Sequence, residues 1–489
     1  AGVLEELRSL IAVKKALRVT DWAFVKGLEK QGLTVAVIPG KVLFSRKAPN
    51  GRRKVRIVAC GNFLGAQESK KELKSTVFAA GLDMSVARAC LTLAARKGWC
   101  LFGLDVKTAF LNTELCPRDR KKAEEHIERC MENPGEEHVP EGNYIVIRPP
   151  NWLIKHKFVD PEALWHVKRN LYGLDQAPRD WSLIRDATIC RMVFKVPDGN
   201  KVLEFRAFRS AVEENLWLVT DGPLPCLYAP EQWRDIVGWI LVYVDDLLAA
   251  GSEALLKAID VEVRNAWVCD DSHWLTEEQH EPFRFLGTVI SRDAEGAFYM
   301  SQESYVVDLA SRYSEELVIA DSPLPRGFVD PPEEAESDEG KLRAAQQIVG
   351  ELLWIATRTR PDVSFAVSRL ASRLSRAPDQ VRKHGIHVLS YLSRTAGMGL
   401  KFAAGCRPEW SALGLSTSVD HRIQVLCDSS FAPESQKSIE CVLIMQNSSL
   451  IAWHVAKQPF VVGSSCESEL LAVTTGAAMG ESFMWVLQE

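Results

Sequence analysis

Residues 238–251 read GWILVYVDDLLAAG, with two adjacent aspartates, Asp245 and Asp246, at the centre of an otherwise apolar run bracketed by glycines. An ionised carboxylate carried into an apolar interior is costly unless a cation, a metal or donated hydrogen bonds compensate it. The run therefore predicts two short buried strands joined by a turn that carries the acids, and the acids need a partner or water. A second acid-bearing strand is expected in CLFGLDVKTAF (100–110), where Asp105 ends an apolar stretch that follows the helical pattern SVARACLTLAARKGW (85–99). Between the two, LYGLDQAPRDWSLIRDATICRM has helical spacing, and ALLKAIDVEVRNAW supplies another helix after the second. A helix between two acid-bearing strands is what a split βαβ sheet needs to set distant carboxylates side by side. If Asp105 and Asp245 converge, divalent cations relieve their repulsion best, and oxygen ligands of this kind favour Mg²⁺. Two such ions roughly 3.5–4 Å apart clamp the attacking and leaving oxygens of an in-line phosphoryl displacement.

Bulk properties set the frame for that chemistry. The chain has 489 residues, 46% hydrophobic and 25% charged, enough for two or three globular domains. A net charge of −5 and a pI near 6.1 give no global attraction to nucleic acid, so a polyanion site requires a metal or a local basic patch. SRKAPNGRRKVR (45–56) is such a patch, on two strand-like segments with Pro49-Asn50-Gly51 as the expected turn. Twelve cysteines without any C-x-x-C pair argue against zinc ribbons and secreted disulfide frameworks, and predict a reducing, intracellular setting. No apolar run approaches the roughly 18 residues that span a bilayer. The chain reads as a piece of something longer. Its best linker is PLPRGFVDPPEEAESDEG (323–340), and helices are expected to dominate from Lys341 to Thr395.

The ordered blocks GKVLFSRKAPNGRRKVRIVACGN, LDVKTAFLNTEL, LYGLDQAPRDW, YVDDLL, FLGTVI, GELLWIATRTRPDVSFAVSRLAS and AWHVAKQPFVVGSSCESELLAV resemble the pol region of copia-type long-terminal-repeat retrotransposons. The resemblance implies an α/β right-hand polymerase: fingers and a ferredoxin-like palm over 35–300 after an amphipathic lead-in at 1–34, and a thumb-like segment at 301–322. It further implies a helical connection at 341–415 beyond the linker, then a C-terminally incomplete ribonuclease H-like domain at 416–489. It implies RNA-directed DNA polymerase activity, with an RNA template, a DNA or RNA primer, dNTP and two Mg²⁺ ions, in cytoplasmic virus-like particles or the nucleus. Carried over residue by residue, Asp105 and Asp245 correspond to metal-binding acids, with Asp246 beside them. Phe110 corresponds to a steric gate against the ribose 2′-OH. Lys54 and Arg56 fall on the fingers strand that contacts the triphosphate, Gln176 on a nucleotide contact, and Leu286 with Gly287 on the hairpin that grips the primer end. Asp428 and Glu469, rather than the neighbouring Glu467, correspond to the first two ribonuclease H acids. Against the family pattern, this sequence carries charged inserts around 116–145 and 195–235 and has Asp175 where relatives often have a basic residue. A decayed or domesticated element that binds nucleic acid or a partner without polymerising is the alternative.

Overall fold

The computed structural model describes residues 2–47, 52–67, 79, 81–133, 143–222, 235–332, 339–405, 423–432 and 437–488. The expected Pro49-Asn50-Gly51 turn lies outside them. Among the described residues the strands form four sheets in a mixed α/β architecture, and no helix is long and apolar enough to cross a membrane.

The first sheet runs in the order β1-β6-β5-β2-β3, with β1 Leu17–Thr20, β2 Thr34–Lys47, β3 Arg52–Ala59, β5 Asn143–Arg148 and β6 Leu164–Val167. The lead-in does not stand apart from it: β1 pairs with β6, and Val3 and Leu7 of the helix Gly2–Arg8 share one core with Ile57, Ile147 and Trp165. An amphipathic start of this kind is stable only where its apolar stripe has a surface to cover.

The second sheet holds the acids. Its order is β12-β4-β11-β10-β9-β8-β7. Strands β4 (Cys100–Asp105), β10 (Gly238–Tyr243), β11 (Asp246–Gly251) and β12 (His273–Leu275), with the helices Ala177–Arg191 and Glu253–Ala266, give βαββαβ connectivity. This is the ferredoxin-like arrangement the sequence predicts. The apolar run 238–251 is continuous rather than alternating because both faces of the sheet are covered. Trp239, Leu241, Leu248 and Ala250 pack with the helix Met84–Lys97, while Ile240, Val242, Leu247 and Ala249 pack with Trp181, Ile189 and Ile259 of the other two helices.

The described part of the charged insert expected around 195–235 is built of regular strands. Residues 193–220 form β7 (Val193–Asp198), β8 (Lys201–Arg209) and β9 (Leu216–Thr220), which extend the palm sheet beyond β10 on the side away from Asp105. Its apolar positions, such as Phe194, Trp217 and Val219, fall on a strand period and find the palm core.

Strands β13 (Phe283–Phe285), β14 (Thr288–Arg292), β15 (Phe298–Ser301) and β16 (Leu400–Phe402) make the third sheet. The helices Glu303–Arg312, Glu339–Ala356, Ser364–Ala371 and Pro378–Arg394 share one core through Leu309, Ile348, Leu370 and Leu389, so the thumb-like segment and the connection pack as a unit. Nor is the described part of the linker loose, because Asp330 pairs with Arg369 at 2.6 Å and Phe328 meets His384 edge to face at 5.1 Å. Strands β17 (Ile423–Ser430), β18 (Ile439–Gln446) and β19 (Ser449–Lys457), covered by the helix Ser465–Gln488, complete the fold.

Arg88 bolts three of these parts together. From the palm helix Met84–Lys97 its buried guanidinium donates to Ile451 O of β19 and to Arg358 O of the connection, and it stacks on Trp453 at 4.3 Å. Burial pulls its pKa down to about 9, opposed by Asp83, while the Arg358 charge lowers it further. Losing a buried charged donor leaves carbonyls unsatisfied, at about 1–3 kcal/mol for each such group. Arg88→Ala is therefore expected to destabilise the protein by about 2–4 kcal/mol. Urea unfolding and proteolytic release of the C-terminal segment check this, and unchanged melting together with unchanged proteolysis would count against the bolt.

Candidate active site

Strands β10 and β11 are joined by the two-residue turn Val244-Asp245, with Tyr243 paired to Asp246. Val244 sits at φ +55°, a left-handed conformation that β-branched residues rarely adopt. The surroundings hold it there: Trp181 Nε1–H donates to Val244 O, and Val106 N–H donates to Asp245 O at 2.9 Å. Strand β11 also pairs with β4, and in that register Asp246 stands opposite Asp105. Acids far apart in sequence thus meet at one end of the sheet, because β4 and β11 are neighbours.

All three aspartates are half-buried. Asp105 and Asp245 line a cleft of about 400 Å³, together with Lys54, Arg56, Lys107, Tyr172 and Asp270. Lys54 and Arg56, at alternate positions of β3, share one face and direct it at the acids. Burial raises the Asp245 pKa, and the charges of Arg56 and Lys54 partly oppose it. Asp246 is pushed up to about 7, first by burial and then by the charges of Asp245 and Asp105. Proton linkage then fixes a sign. In metal-free protein the folded state binds a proton at Asp246 near pH 7 and the unfolded chain only near its ordinary 3.8, so this group's contribution to stability falls as pH rises between those values. Asp246→Asn is expected to raise the melting temperature in EDTA at about pH 8 and to change it little near pH 4. Equal shifts at both pH values would show that ionisation of the buried Asp246 is not the cause.

Other expected site residues divide. Phe110 lies in the short 3-10 turn Ala109–Asn112 and meets Tyr172 edge to face at 5.4 Å, behind the cleft wall. Gln176 does not line the cleft. It is buried, and its amide donates to Cys116 O at 2.9 Å and to Asp180 Oδ2 at 3.0 Å, because the helix that begins at Ala177 turns it inward. Asp175 beside it accepts from the Gln176 backbone N–H at 3.0 Å. Leu286 and Gly287 form the two-residue turn between β13 and β14, both at positive φ (+52° and +76°), and a Cβ on Gly287 would meet the Trp354 ring at 2.8 Å.

Sequence reasoning missed Tyr172 and Glu6. Tyr172 carries the Arg56 guanidinium 4.6 Å above its ring and lies in the LYGLDQAP block, the signal that marked it. Glu6 accepts from Ile57 N–H at 3.3 Å, and burial raises its pKa; nothing in the lead-in's pattern told this acid from its neighbours.

No protein-family model matches the chain. Among curated proteins, a putative transposon Ty5-1 protein of Saccharomyces cerevisiae is 28% identical over 305 residues, which cover 62% of this chain and 79% of that protein. The retrovirus-related Pol polyprotein from transposon RE1 of Arabidopsis thaliana is 24% identical over 459 residues, and that from transposon TNT 1-94 of Nicotiana tabacum 24% over 448. These matches cover 92% and 89% of this chain. The chain's homologues are copia-type transposon Pol polyproteins. It spans only 26% and 28% of the length of the two plant polyproteins. Among solved structures, it is similar to a foamy viral protease-reverse transcriptase in complex with double-stranded DNA, at a TM-score of 0.45 and 11% identity, over 92% of this chain and 58% of that one.

In this Pol homologue, the C-terminal acids do not gather as expected. Cys427 faces the helix Ser465–Gln488, since a Cβ on Gly476 would fall on its sulfur, and strand alternation turns the exposed Asp428 to the opposite face. Glu469 and the buried Glu440 lie on the helix side, where both raise the Cys427 pKa after burial. Glu467 is engaged elsewhere, accepting from Gly463 N–H at 2.7 Å in a cap at the start of the helix.

Proposed function

We propose that this chain is the RNA-directed DNA polymerase portion of a copia-type retrotransposon Pol protein. The observation that carries the reading is the cleft in which Asp105, at the end of β4, and Asp245, in the turn between β10 and the neighbouring β11, lie together with Lys54, Arg56 and Tyr172. In the proposed reaction the primer 3′-hydroxyl oxygen bonds to the α-phosphorus of a dNTP, the bond from that phosphorus to the bridging oxygen breaks, and pyrophosphate leaves.

The acids fit Mg²⁺: they are hard oxygen donors set side by side, and the pKa of Asp246 is pushed up to about 7 first by burial and then by the charges of Asp245 and Asp105, a cost to the ionised form that a cation offsets. When bound, Mg²⁺ at Asp105 and Asp245 supplies charge neutralisation to the reacting phosphate and to the attacking and leaving oxygens. Arg56, seated on Tyr172, presents a fork of donors to triphosphate oxygens, and Lys54 adds a point charge. Phe110, braced against the cleft-lining Tyr172, is the proposed gate against a sugar 2′-hydroxyl. The Leu286-Gly287 turn, backed by Trp354, is a stiff edge suited to holding a primer end.

Mg²⁺-dependent extension of a DNA primer on an RNA template by the purified chain tests the reading. Binding of the primer-template without extension would favour the alternative of a domesticated, non-polymerising element, and extension on DNA templates alone would change the template assignment.

A further inference from the structure

The charged insert after Phe110 carries a cluster of different chemistry. In the helix Arg120–Glu132, His126 and Cys130 stand one helical turn apart on the face that also buries Ala123 and Ile127. Opposite them is Glu114, whose backbone is fixed because Asn170 Nδ2–H donates to its carbonyl at 2.9 Å and it forms an antiparallel bridge with Arg169. His126 Nε2 lies 3.6 Å from Cys130 Sγ, Cys130 Sγ lies 3.8 Å from Glu114 Oε2, and the three ligand atoms are all within 4.8 Å of one another.

The two separations from Cys130 Sγ are close to the edges of a metal tetrahedron. A zinc ion holds sulfur at ~2.3 Å and imidazole nitrogen or carboxylate oxygen at ~2.0–2.2 Å, which sets the sulfur–nitrogen and sulfur–oxygen edges at about 3.5–3.7 Å. Without a cation the set is awkward, since a carboxylate beside a thiol opposes the thiolate. A divalent ion at the centre turns that repulsion into ligation. Sulfur and imidazole select a softer ion than the all-oxygen site of the palm.

We propose that Glu114, His126 and Cys130 bind one Zn²⁺ ion, with water in the fourth position, and so pin the inserted helix to the segment that follows Phe110. The site is separate from the polymerase cleft and does not depend on the reading given for it. Glu114 comes from a fixed backbone and His126 is 3% exposed, so two of the ligands are ordered before the metal arrives.

The test uses the whole chain, stripped with EDTA, dialysed and titrated with Co²⁺ and then Zn²⁺. A thiolate-to-cobalt charge-transfer band with tetrahedral d–d bands is expected to saturate at about one ion per chain and to be abolished by Zn²⁺. Cys130→Ser should remove the charge-transfer band. His126→Ala should weaken affinity by more than the roughly 10–100-fold that loss of an outer-shell partner costs. Asp245→Asn and Cys190→Ser, the latter at an exposed cysteine, should leave the spectrum unchanged. Absence of the band in the wild type, or its survival in a folded Cys130→Ser protein, overturns the proposal. Should that variant fail to fold, alkylation of wild-type Cys130 mapped by mass spectrometry decides: Zn²⁺ must slow it, and an unchanged rate overturns the site.

Discussion

Asp245→Asn is expected to lower Mg²⁺-dependent extension of an RNA-templated primer by on the order of 10²–10³-fold or more, the scale set by removing a single oriented electrostatic contact from an active site. The substitution keeps the side chain's shape and removes its charge. The bond from Val106 N–H goes to the backbone oxygen of Asp245, so the turn that aims the residue should survive. Burial already disfavours the ionised Asp245, which means that the amide should leave the melting temperature unchanged or slightly raised. Loss of activity without loss of fold is the signature to look for, and a gel extension assay beside a thermal melt reads both. Asp105→Asn should behave alike, because Asp105 lines the same cleft. Undiminished extension by either variant would refute the assignment of the acids.

The second large effect is expected at Gly173, where the fingers strand joins the palm. Ala59 N–H donates to Tyr172 O at 2.8 Å, and Gly61 N–H donates to Gly173 O at 3.0 Å. Gly173 has φ +91°, and a Cβ there would fall on the Ala59 carbonyl oxygen. A backbone atom cannot swing aside as a side-chain end can, so Gly173→Ala must separate the two segments or distort both. Left-handed strain alone is about 1–2 kcal/mol, and with the collision the total cost should reach about 3 kcal/mol or more. The same step displaces Tyr172 beneath Arg56, so any folded fraction should show a raised KM for dNTP with a smaller change in kcat. Urea unfolding and steady-state extension measure the two parts. An alanine variant as stable as the wild type would mean that the junction is looser than described.

Much of the palm was legible in the sequence because its signals are local. The run GWILVYVDDLLAAG announces two buried strands and a turn, and the strand–helix–strand order around Asp105 predicts the sheet that carries them. The residues misplaced by sequence reasoning are those whose direction depends on packing. Gln176 lies in the expected block, yet it faces Asp180 and Cys116 because of where its helix begins. The 195–235 insert reads as charged rather than as strands because β8, although paired on both sides, is exposed and charged along much of its length. Asp428 and Glu469 occur in recognisable blocks, but a strand turns successive side chains to opposite faces, and register decides which face meets the helix.

By itself the sequence determined the strands and helices around the acids, where the acids sit along them and which family of proteins the chain resembles, since hydrophobic period and block order are properties of neighbours along the chain. Only the tertiary structure decided that Asp246 stands opposite Asp105, that Tyr172 lies under Arg56, and that Glu114 meets His126 and Cys130. Strand pairing and side-chain packing bring together residues far apart in sequence, and burial in that shared space sets the charge each of them carries.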